Sequence, residues 1–531
     1  MSLSVLTDEQ IKELLESMTV KELEGFYIDL RSALHDYSVG SQPDEEDSDI
    51  HQPSRTVVNS SRTGATTVFM LSSSPAGVGV KVVTLTPPHK NETTRVGVSS
   101  PTTKRSSTTS STTTYTASTA NKPQISPTGA VTLFSPTGTP IGILHARTLT
   151  AFRTALASAC LVVKRNKVHT ITVFGSGEQA YWHVRLALML RGPTLRHVHI
   201  INRRFSDSAR RLLQRFYSVP AEVKAREGWT EATFGLLTPG YGEFSRLLRD
   251  QVREADVIFC CTPSPEPLFD HAILTSAEGR RKGRLVVAVG SYTPDMIELP
   301  VEVLQLAVKT HESGRMHFHK HAVEGGVVIV DSLDGALAEA GEVVQSGLSP
   351  NQLIELGELV MLQRIRMDEE SSSDASSFIS SEDSSSIPPP TPELEKLDLN
   401  AGPSMSSVFR KSEDGNGNGN GNYNNRPSSR PNSRPNSRPN SRPASPSRNG
   451  SLSSSIFHRR KSSQGGSGGG SSSMSSRERR KKERETHMCR WLQAGNVIYK
   501  SVGLGLMDLT VGMRMVEFAK QKGVGTHVEG F

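Results

Sequence analysis

Aromatic and apolar residues are scarce in this chain of 531 residues. Phe, Trp and Tyr make up 5% of it and hydrophobic residues 35%, below the roughly 45–50% apolar content of an ordinary globular domain. No uninterrupted apolar run approaches the length of a membrane-spanning helix, and the first residues lack the basic and apolar regions of a signal peptide. We therefore expect a cytosolic protein without a membrane partner, in which polar tracts dilute an ordinary folded part.

Cysteine is also scarce, and its spacing argues against both a disulfide framework and a zinc site. The four cysteines are Cys160, Cys260, Cys261 and Cys489, with no C-x-x-C pair and no Cys/His ligand spacing. This usage is typical of a reducing compartment. We predict no metal centre.

Charge of one sign does not dominate. The net charge of +7 is the small difference between 61 basic and 54 acidic residues, and part of the excess falls in one low-complexity stretch. A basic balance of this kind is weak support for nucleic-acid binding. We do not expect a nucleic-acid partner.

Two polar tracts interrupt the chain. Residues 99–122 are rich in Ser and Thr, and residues 367–486 pass from acidic serine runs through Gly-Asn and S-R-P-N repeats to a basic run. Such composition predicts disorder. Because strand-like and helical patterns return after residue 487, the long tract is interpreted as an insertion. Its serines among Arg-Pro repeats are candidate substrates for kinases, and the alternative is a solvated tether.

The middle of the chain alternates short apolar strands with helical stretches, the pattern of βαβ units and a parallel sheet. The predicted strands are residues 168–174, 197–201, 256–261, 285–290 and 327–331. Before them, Thr7-x-x-Gln10 and Thr19-x-x-Glu22 are capping boxes that predict two helices. A turn-rich segment at 129–145 predicts a hairpin.

A glycine turn follows the first of these strands directly and opens a helix. It reads G-x-G-x-x-A, with Gly175, Gly177 and Ala180. The first glycine permits the tight turn, the second lets the backbone approach a pyrophosphate, and the small Ala180 allows close helix packing. The helix N-terminus then offers free N–H groups to the phosphates. We predict a Rossmann-type dinucleotide site that also includes Ser176, Glu178 and Gln179.

The residues after the second strand bear on the choice of cofactor. NAD-binding proteins usually place an acidic residue there, whereas this chain has Asn202, Arg203 and Arg204. Arginines can hold a 2′-phosphate, which favours NADP(H) over NAD(H); the alternative is a solvated basic loop. Thr262 and Ser291, after later strands, complete the predicted cofactor contacts.

Two charged residues occupy positions where the strand and helix patterns predict burial. In the strand G-V-G-V-K, Lys81 shares a face with Gly77 and Gly79, which leaves space above it for a ligand. Partial burial would make it a usable proton donor or acceptor. Arg153 borders the apolar stripe of the helix at 149–163, where a guanidinium needs an anion. That anion is either a ligand carboxylate or an Asp or Glu of the chain.

Several segments together resemble the ornithine cyclodeaminase/mu-crystallin family, in an order that spans all but the two polar tracts. They are V-L-T-D-E-Q near the start, G-V-K-V-V-T around Lys81, L-T-A-F-R-T-A-L-A-S-A at 149–159, G-S-G-E-Q-A at 175–180, A-V-G-S-Y-T-P-D-M-I-E-L at 288–299, V-D-S and A-E-A-G-E around 330–342, and K-S-V-G-L-G-L-M-D-L at 500–509.

The resemblance implies an α/β fold in which a Rossmann-type doubly wound parallel sheet is inserted in a discontinuous α+β substrate and dimerisation domain. It implies a homodimer, a bound nicotinamide cofactor, and an amino acid or its cyclic imine as substrate. Arg55 and Arg153 resemble the family's carboxylate-binding arginines, and Lys81 its active-site lysine. The expected boundaries are 1–150 and 487–531 for the substrate domain, 151–335 for the Rossmann domain, 336–366 for return helices, and 367–486 for the insertion.

One departure separates the family's branches. Cyclodeaminases carry an aspartate two residues after the glycine of the A-V-G strand, where this chain has Tyr292. Since ornithine cyclisation needs a carboxylate, the sequence favours the mu-crystallin branch and reduction of a ketimine by NAD(P)H. The alternatives are cyclodeaminase or amino-acid dehydrogenase activity, and a non-catalytic NADPH-binding protein.

Overall fold

A computed structural model describes residues 2–40, 49–86, 126–309, 325–362, 485–486 and 488–531. The tract predicted to be disordered at 99–122 lies outside the described residues. So does the insertion predicted at 367–486, apart from residues 485 and 486, and with it the serines proposed as kinase substrates.

The strands fall into two groups. The first group consists of the strands before residue 146 together with the last strand of the chain, and the second group consists of the others. The strands are β1 (Ser2–Leu6), β2 (Thr56–Asn59), β3 (Thr66–Ser74), β4 (Gly77–Thr86), β5 (Ser126–Phe134), β6 (Pro140–His145), β7 (Thr170–Phe174), β8 (His197–Ile201), β9 (Thr233–Leu237), β10 (Val257–Cys260), β11 (Leu285–Ala288), β12 (Val327–Val330), β13 (Leu353–Glu355), β14 (Val497–Lys500) and β15 (Thr526–Glu529).

Helices connect these strands and cover both sheets. They are α1 (Asp8–Ser17), α2 (Val20–Gly40), α3 (Ala146–Val162), α4 (Glu178–Arg191), α5 (Asp207–Tyr217), α6 (Ala221–Glu227), α7 (Phe244–Glu254), α8 (Ala272–Thr275), α9 (Val301–Ala307), α10 (Leu333–Glu339), α11 (Gly341–Ser346), α12 (Leu356–Val360) and α13 (Gly505–Lys522), with short 3₁₀ turns at Gly279–Arg281 and Pro350–Gln352.

The second group of strands forms an eight-stranded sheet in which every pairing is parallel. Its order is β13-β12-β14-β11-β10-β7-β8-β9. The chain runs outward from β7 to β9 on one side and to β10 and β11 on the other, which is a doubly wound arrangement. Its central strands are buried along their whole length, as a parallel sheet covered by helices on both faces requires. The predicted Rossmann-type sheet is confirmed.

The first group forms a seven-stranded mixed sheet in the order β15-β1-β6-β5-β4-β3-β2. Helix α13 crosses the inner face of this sheet at close range. A Cβ on Gly79 would lie 3.1 Å from that of Leu509, and one on Gly142 would lie 2.7 Å from a methyl group of Val516. The small residues of the strands therefore bring the helix backbone near to the sheet.

The predicted capping boxes and hairpin are present. Thr7 caps α1 with the reciprocal Gln10 contact, and Thr19 exchanges hydrogen bonds with Glu22 at the start of α2. Strands β5 and β6 pair antiparallel across the predicted turn. Strands β1, β9, β13 and β15 were not predicted.

The structure differs from the expected domain boundaries after the insertion. Residues 487–531 were expected to return to the substrate domain, but β14 lies inside the parallel sheet, paired with β11 and β12. Similarly, 336–366 was expected to be helical, yet β13 extends the parallel sheet at its edge. The physical reason is that a short apolar strand buried on both faces fits a central parallel position, whereas the sequence pattern alone does not choose between sheets.

Within the described ranges, no helix is long and apolar enough to cross a membrane. Likewise, no group of three or more His, Cys, Asp or Glu side chains in that part of the chain could hold a metal ion.

Candidate active site

The predicted cofactor residues lie side by side at the carboxyl edge of the parallel sheet. Ile201, Phe174, Cys260, Ala288 and Lys500 are consecutive register partners across five strands. Asn202, Gly175, Thr262, Ser291 and Gly503 follow these strand ends, and this edge is where parallel sheets bind ligands.

The glycine turn has the backbone that the motif predicts. Gly175 has φ +109°, a region that residues with a Cβ rarely adopt, and its N–H donates to the carbonyl of Ile201 at 2.9 Å. Gly177 precedes α4 as its N-cap, and no heavy atom of the described structure lies within 4 Å of where its Cβ would be. Ala180 is fully buried. The turn thus leaves open space at the start of a helix, which fits a pyrophosphate.

The side chains of the turn are engaged in different ways. The Glu178 carboxylate accepts two hydrogen bonds from Arg215 at 3.0 Å, so this carboxylate is engaged within the protein, and the cofactor contact of Glu178 stays a prediction. The Ser176 hydroxyl shares a hydrogen bond of 2.9 Å with Ser208. Gln179 has a buried side-chain oxygen with no hydrogen-bond partner among the described residues.

The loop after β8 displays its two arginines to solvent. The Asn202 amide donates to the carbonyl of Arg204 at 2.8 Å and to the Ser206 hydroxyl at 3.2 Å. Arg203 and Arg204 are exposed. The asparagine therefore fixes the loop backbone while both guanidinium groups remain available.

A buried carboxylate joins the two loops that follow β10 and β11. One oxygen of Glu298 accepts from the Thr262 N–H at 2.7 Å, and the other accepts from the Gly290 N–H at 2.6 Å and the Ser291 N–H at 3.3 Å. Burial raises the pKa of Glu298 to about 7, against the lowering effects of Lys500 and of these N–H groups.

The Ser291 side chain belongs to this buried network. Its hydroxyl donates to Glu342 at 2.5 Å and also contacts the ammonium group of Lys500, which pairs with Glu342 at 3.3 Å. Ser291 is fully buried. Its N–H donates to Glu298 and its carbonyl accepts from Lys500 at 2.6 Å, so its polar groups are all engaged within the protein, and the cofactor contact of Ser291 stays a prediction.

Lys81 is buried on β4, on the face it shares with Gly77 and Gly79. Its ammonium donates to the two oxygens of Asp508 at 3.2 and 3.1 Å. Burial lowers the pKa of Lys81 to about 8; Asp508 opposes the shift, while the cations Arg153 and Arg55 add to it. The space expected above Gly79 is filled by Leu509 of α13, so the glycines admit a helix and not a ligand.

Arg153 lies on α3 and meets the same carboxylate. Its Nε donates to Asp508 at 3.1 Å and its Nη1 to the sulfur of Met507 at 3.3 Å. Both partners of the ion pair are almost completely buried. The sequence allowed either a ligand carboxylate or an acidic residue of the chain as the partner of Arg153. In the structure this partner is an aspartate of the chain, Asp508.

Arg55 contacts the backbone of the turn after β14. Its Nη2 donates to the carbonyls of Val502 and Gly503 at 3.0 and 3.3 Å and lies 2.5 Å from Glu339. A Cβ on Gly503 would lie 2.7 Å from Nη2 of Arg153. Both arginines therefore lie beside Gly503, and the three predicted cations form one cluster.

A buried aspartate shapes this turn. Asp331, which follows β12, accepts hydrogen bonds from the Ser501 hydroxyl at 2.7 Å and from the N–H groups of Val502 and Gly503 at 3.2 and 2.6 Å. It has no exposed surface. Asp331 thus ties the turn that Arg55 and Arg153 contact to the edge of the parallel sheet.

The sequence reasoning missed the acidic partners of the cluster. These are Asp508, Glu339, Asp331, Glu298 and Glu342. Each falls inside a segment quoted for the family resemblance, and that was the available signal. No periodicity singled them out, because their partners lie far away in sequence.

No family model matches the chain, but individual relatives do. A cyclodeaminase-named protein of Dictyostelium discoideum is 32% identical over 31% of this chain and 44% of its own length. A Delta(1)-pyrroline-2-carboxylate reductase of Bacillus cereus is 26% identical over 42% and 57%, and the mouse ketimine reductase mu-crystallin 27% over 44% and 58%. The chain spans less than two thirds of the length of these curated relatives.

Solved structures share the fold over nearly the whole chain. The Thermococcus litoralis Delta(1)-pyrroline-2-carboxylate reductase, in complex with NADH and L-proline, has a TM-score of 0.51 at 14% identity and covers 99% of this chain and all of its own. The iminosuccinate reductase of Paracoccus denitrificans, in complex with NAD⁺, also has a TM-score of 0.51, at 15% identity and full coverage of both chains. These likenesses show the fold, and the relatives above show that the chain is similar to proteins named cyclodeaminase, Delta(1)-pyrroline-2-carboxylate reductase and ketimine reductase mu-crystallin.

Proposed function

We propose that this protein is an NADP(H)-dependent oxidoreductase that reduces the ketimine of an amino acid, with a cyclic imine carboxylate as its substrate. The observation that carries the proposal is the row of loops at the carboxyl edge, which runs from the open glycine turn to the Lys81 and Arg153 cluster. Strand β14 is three strands from β7, or about 14 Å at an interstrand spacing of roughly 4.8 Å. A dinucleotide with its pyrophosphate at Gly177 can place its nicotinamide toward that cluster.

The reduced nicotinamide, when bound, supplies the hydride for the imine carbon. The chain's own residues hold and polarise the substrate. Arg153 and Arg55 present guanidinium groups beside Gly503, where they can bind the carboxylate. Lys81 can place a proton on the imine nitrogen, and its lowered pKa makes that transfer easier near neutral pH.

The test is NADPH oxidation by purified protein on a panel of cyclic ketimine carboxylates. We expect turnover that is lost in Lys81→Met, while Lys81→Met still binds NADPH. Dinucleotide binding without turnover on any imine would support the non-catalytic alternative. Release of ammonia from ornithine with formation of proline would instead support the cyclodeaminase.

The preference for NADP(H) rests on the exposed Arg203 and Arg204 after β8. In the sequence Asn-Arg-Arg-Phe-Ser at 202–206 no carboxylate is available to bind a ribose hydroxyl. We expect Arg203→Ala/Arg204→Ala to weaken NADPH binding about tenfold or more, or ~1.4 kcal/mol, and to leave NADH binding unchanged. Arg246→Ala, which removes an exposed arginine paired with Glu243, is the control. An equal loss for both dinucleotides would contradict the assignment.

A homodimer is proposed on the outer face of the mixed sheet. Leu71 and Ile143 are 40% and 38% exposed, and the half-buried Val80 pairs with Leu71 in the strand between them. Val58, whose register partner Thr67 lies on the same face of β3 as Leu71, adds a further exposed apolar side chain near the end of the sheet. A contiguous apolar face of this kind favours a protein interface, and a second copy of the chain is the partner that buries it symmetrically.

A further inference from the structure

The strongest unexplained feature of the candidate site is the carboxylate of Asp508. It comes from α13, 427 positions after Lys81 and 355 after Arg153, and only 1% of its side chain is exposed. It contacts both of the cations that the proposed mechanism uses. A buried carboxylate between two functional cations needs a role of its own, because burying an ion pair does not by itself stabilise a fold.

The hydrogen bonds leave part of each cation free for a ligand. An ammonium group has three donors and a guanidinium five. Asp508 receives bonds from Lys81 and from Nε of Arg153, and Nη1 of Arg153 contacts Met507. The remaining edge, Nη2, faces the turn at Gly503. The carboxylate therefore sets the direction of both side chains without using all of their donors.

We infer that Asp508 is a positioning residue of the active site, which holds Lys81 and Arg153 as one unit and keeps a proton on Lys81 for a substrate that carries a single carboxylate. This inference rests on the proposed function, since it concerns the same site.

The charges of the cluster support a substrate with one carboxylate. The cations Lys81, Arg153 and Arg55 form ion pairs with the carboxylates of Asp508 and Glu339, so these pairs hold one more positive than negative charge. Asp331, nearby, forms no ion pair with the three cations in the described structure, and its oxygens accept from the Ser501 hydroxyl and from the N–H groups of Val502 and Gly503. A dicarboxylate would bring a second negative charge into a buried site without a free cation to receive it.

The same geometry fixes the dependence on pH. Lys81 faces Asp508 of α13, Arg153 of α3 and Arg55 of the segment before β2, and among these only Asp508 favours the ammonium form. A lysine that donates a proton is active below its pKa, and the activity is lost as the pH rises through that pKa. Removing the negative charge lowers that pKa further, so the alkaline limb must move to lower pH.

The experiment measures binding of L-proline to the full chain saturated with dinucleotide, by calorimetry between pH 6 and 9, together with the pH profile of turnover. In Asp508→Asn we expect at least tenfold weaker proline binding at pH 7. We also expect the alkaline midpoint to fall by roughly one to three units, the usual effect of an adjacent opposite charge. A structural role alone would change thermal stability and leave the midpoint where it is.

Two further variants control the result. Glu517→Gln removes an exposed carboxylate of the same helix that pairs with Arg514, and it should behave as wild type. Asp508→Glu keeps the charge but moves it by one methylene group, so its alkaline midpoint should stay near that of wild type while proline binding weakens. If Asp508→Asn does not fold, Asp508→Glu decides, and proline binding of wild-type strength in that variant would overturn the inference.

The two proposals fail in different ways. A wild-type protein that binds NADPH but neither binds proline nor reduces any imine would defeat the proposed function. An active wild-type enzyme whose folded Asp508→Asn variant has an unchanged midpoint would defeat this inference alone.

Discussion

At the scale of single residues, the two glycines of the turn have separable roles. Gly175 has φ +109°, and a Cβ there would lie 2.9 Å from the carbonyl oxygen of Cys261. Gly175→Ala should therefore lower the free energy of unfolding by about 1–3 kcal/mol, the usual cost of backbone strain. Chemical denaturation monitored by far-UV circular dichroism measures this loss.

Gly177→Ala is the matched control, because a methyl group at Gly177 meets nothing within 4 Å. It should cost well under 1 kcal/mol in stability and yet weaken NADPH binding tenfold or more, since the methyl group occupies the space proposed for the pyrophosphate. Calorimetric titration of both variants checks the pair. Normal NADPH affinity in Gly177→Ala would place the pyrophosphate elsewhere.

The sequence could predict those residues whose role depends only on neighbours nearby in the sequence. Gly175, Gly177 and Ala180 stand at fixed offsets after an apolar strand, so the pattern indicates a turn before any contact is known. Asp508 is different, because its significance arises only when α13 packs on the mixed sheet and brings it to Lys81 and Arg153. A single aspartate in an apolar helix carries no such signal.

At the scale of elements, a buried histidine couples α3 to α4. His183 shares a hydrogen bond of 2.9 Å with the Ser158 hydroxyl and one of 2.7 Å with the carbonyl of Gln179, and burial lowers its pKa to about 4. The unfolded chain takes up this proton near pH 6.5. Between the folded pKa of about 4 and the unfolded pKa of about 6.5, the unfolded state binds more protons than the folded state. The free energy of unfolding therefore falls as the pH is lowered, and His183 accounts for a loss of about 3 kcal/mol at pH 4 relative to neutral pH.

Urea unfolding at pH 7, 5.5 and 4 tests this contribution. His183→Gln should reduce the loss of stability on acidification, whereas His271→Gln, at an exposed position, should retain the wild-type slope. Equal slopes in wild type and His183→Gln would show that other groups control acid unfolding.

Element types were predictable where apolar spacing was strong. Strands β7, β8 and β10 are short apolar runs next to turn residues, and α1 begins at a capping box. Strand β9 was missed because it lies at the edge of the sheet, where its side chains are in part exposed and apolar runs are shorter. Strand β13 was missed because three residues do not establish a period.

At the scale of the whole molecule, the assignment of β14 required the structure. Its four buried residues would suit either sheet, and only packing between β11 and β12 decides the matter. The consequence is functional, since the turn after β14 carries Val502 and Gly503 to the carboxyl edge. The chain thus uses one segment, β14 and α13, to connect the cofactor edge with the Lys81 cluster.

The proposed dimer makes a prediction at this scale. Because Leu71, Val80, Thr132 and Ile143 are successive register partners on the outer face of the mixed sheet, a lysine in this row would be buried without a partner in the interface. Leu71→Lys should therefore convert a particle of twice the 57.7 kDa chain mass into a monomer, measured by light scattering after size-exclusion chromatography.

Tyr241→Lys, at a position that is 59% exposed, changes charge equally and should remain dimeric. The Leu71→Lys monomer should still bind NADPH, because the glycine turn and the arginines after β8 belong to one chain and lie in the other sheet. A wild-type monomer, or a dimer that tolerates Leu71→Lys, would assign the apolar face to a different partner. Lys81, Arg153 and Asp508 also come from a single chain, so the monomer keeps all three side chains of this cluster. If the monomer lost turnover, the cause would therefore be a displacement of β4 or α13.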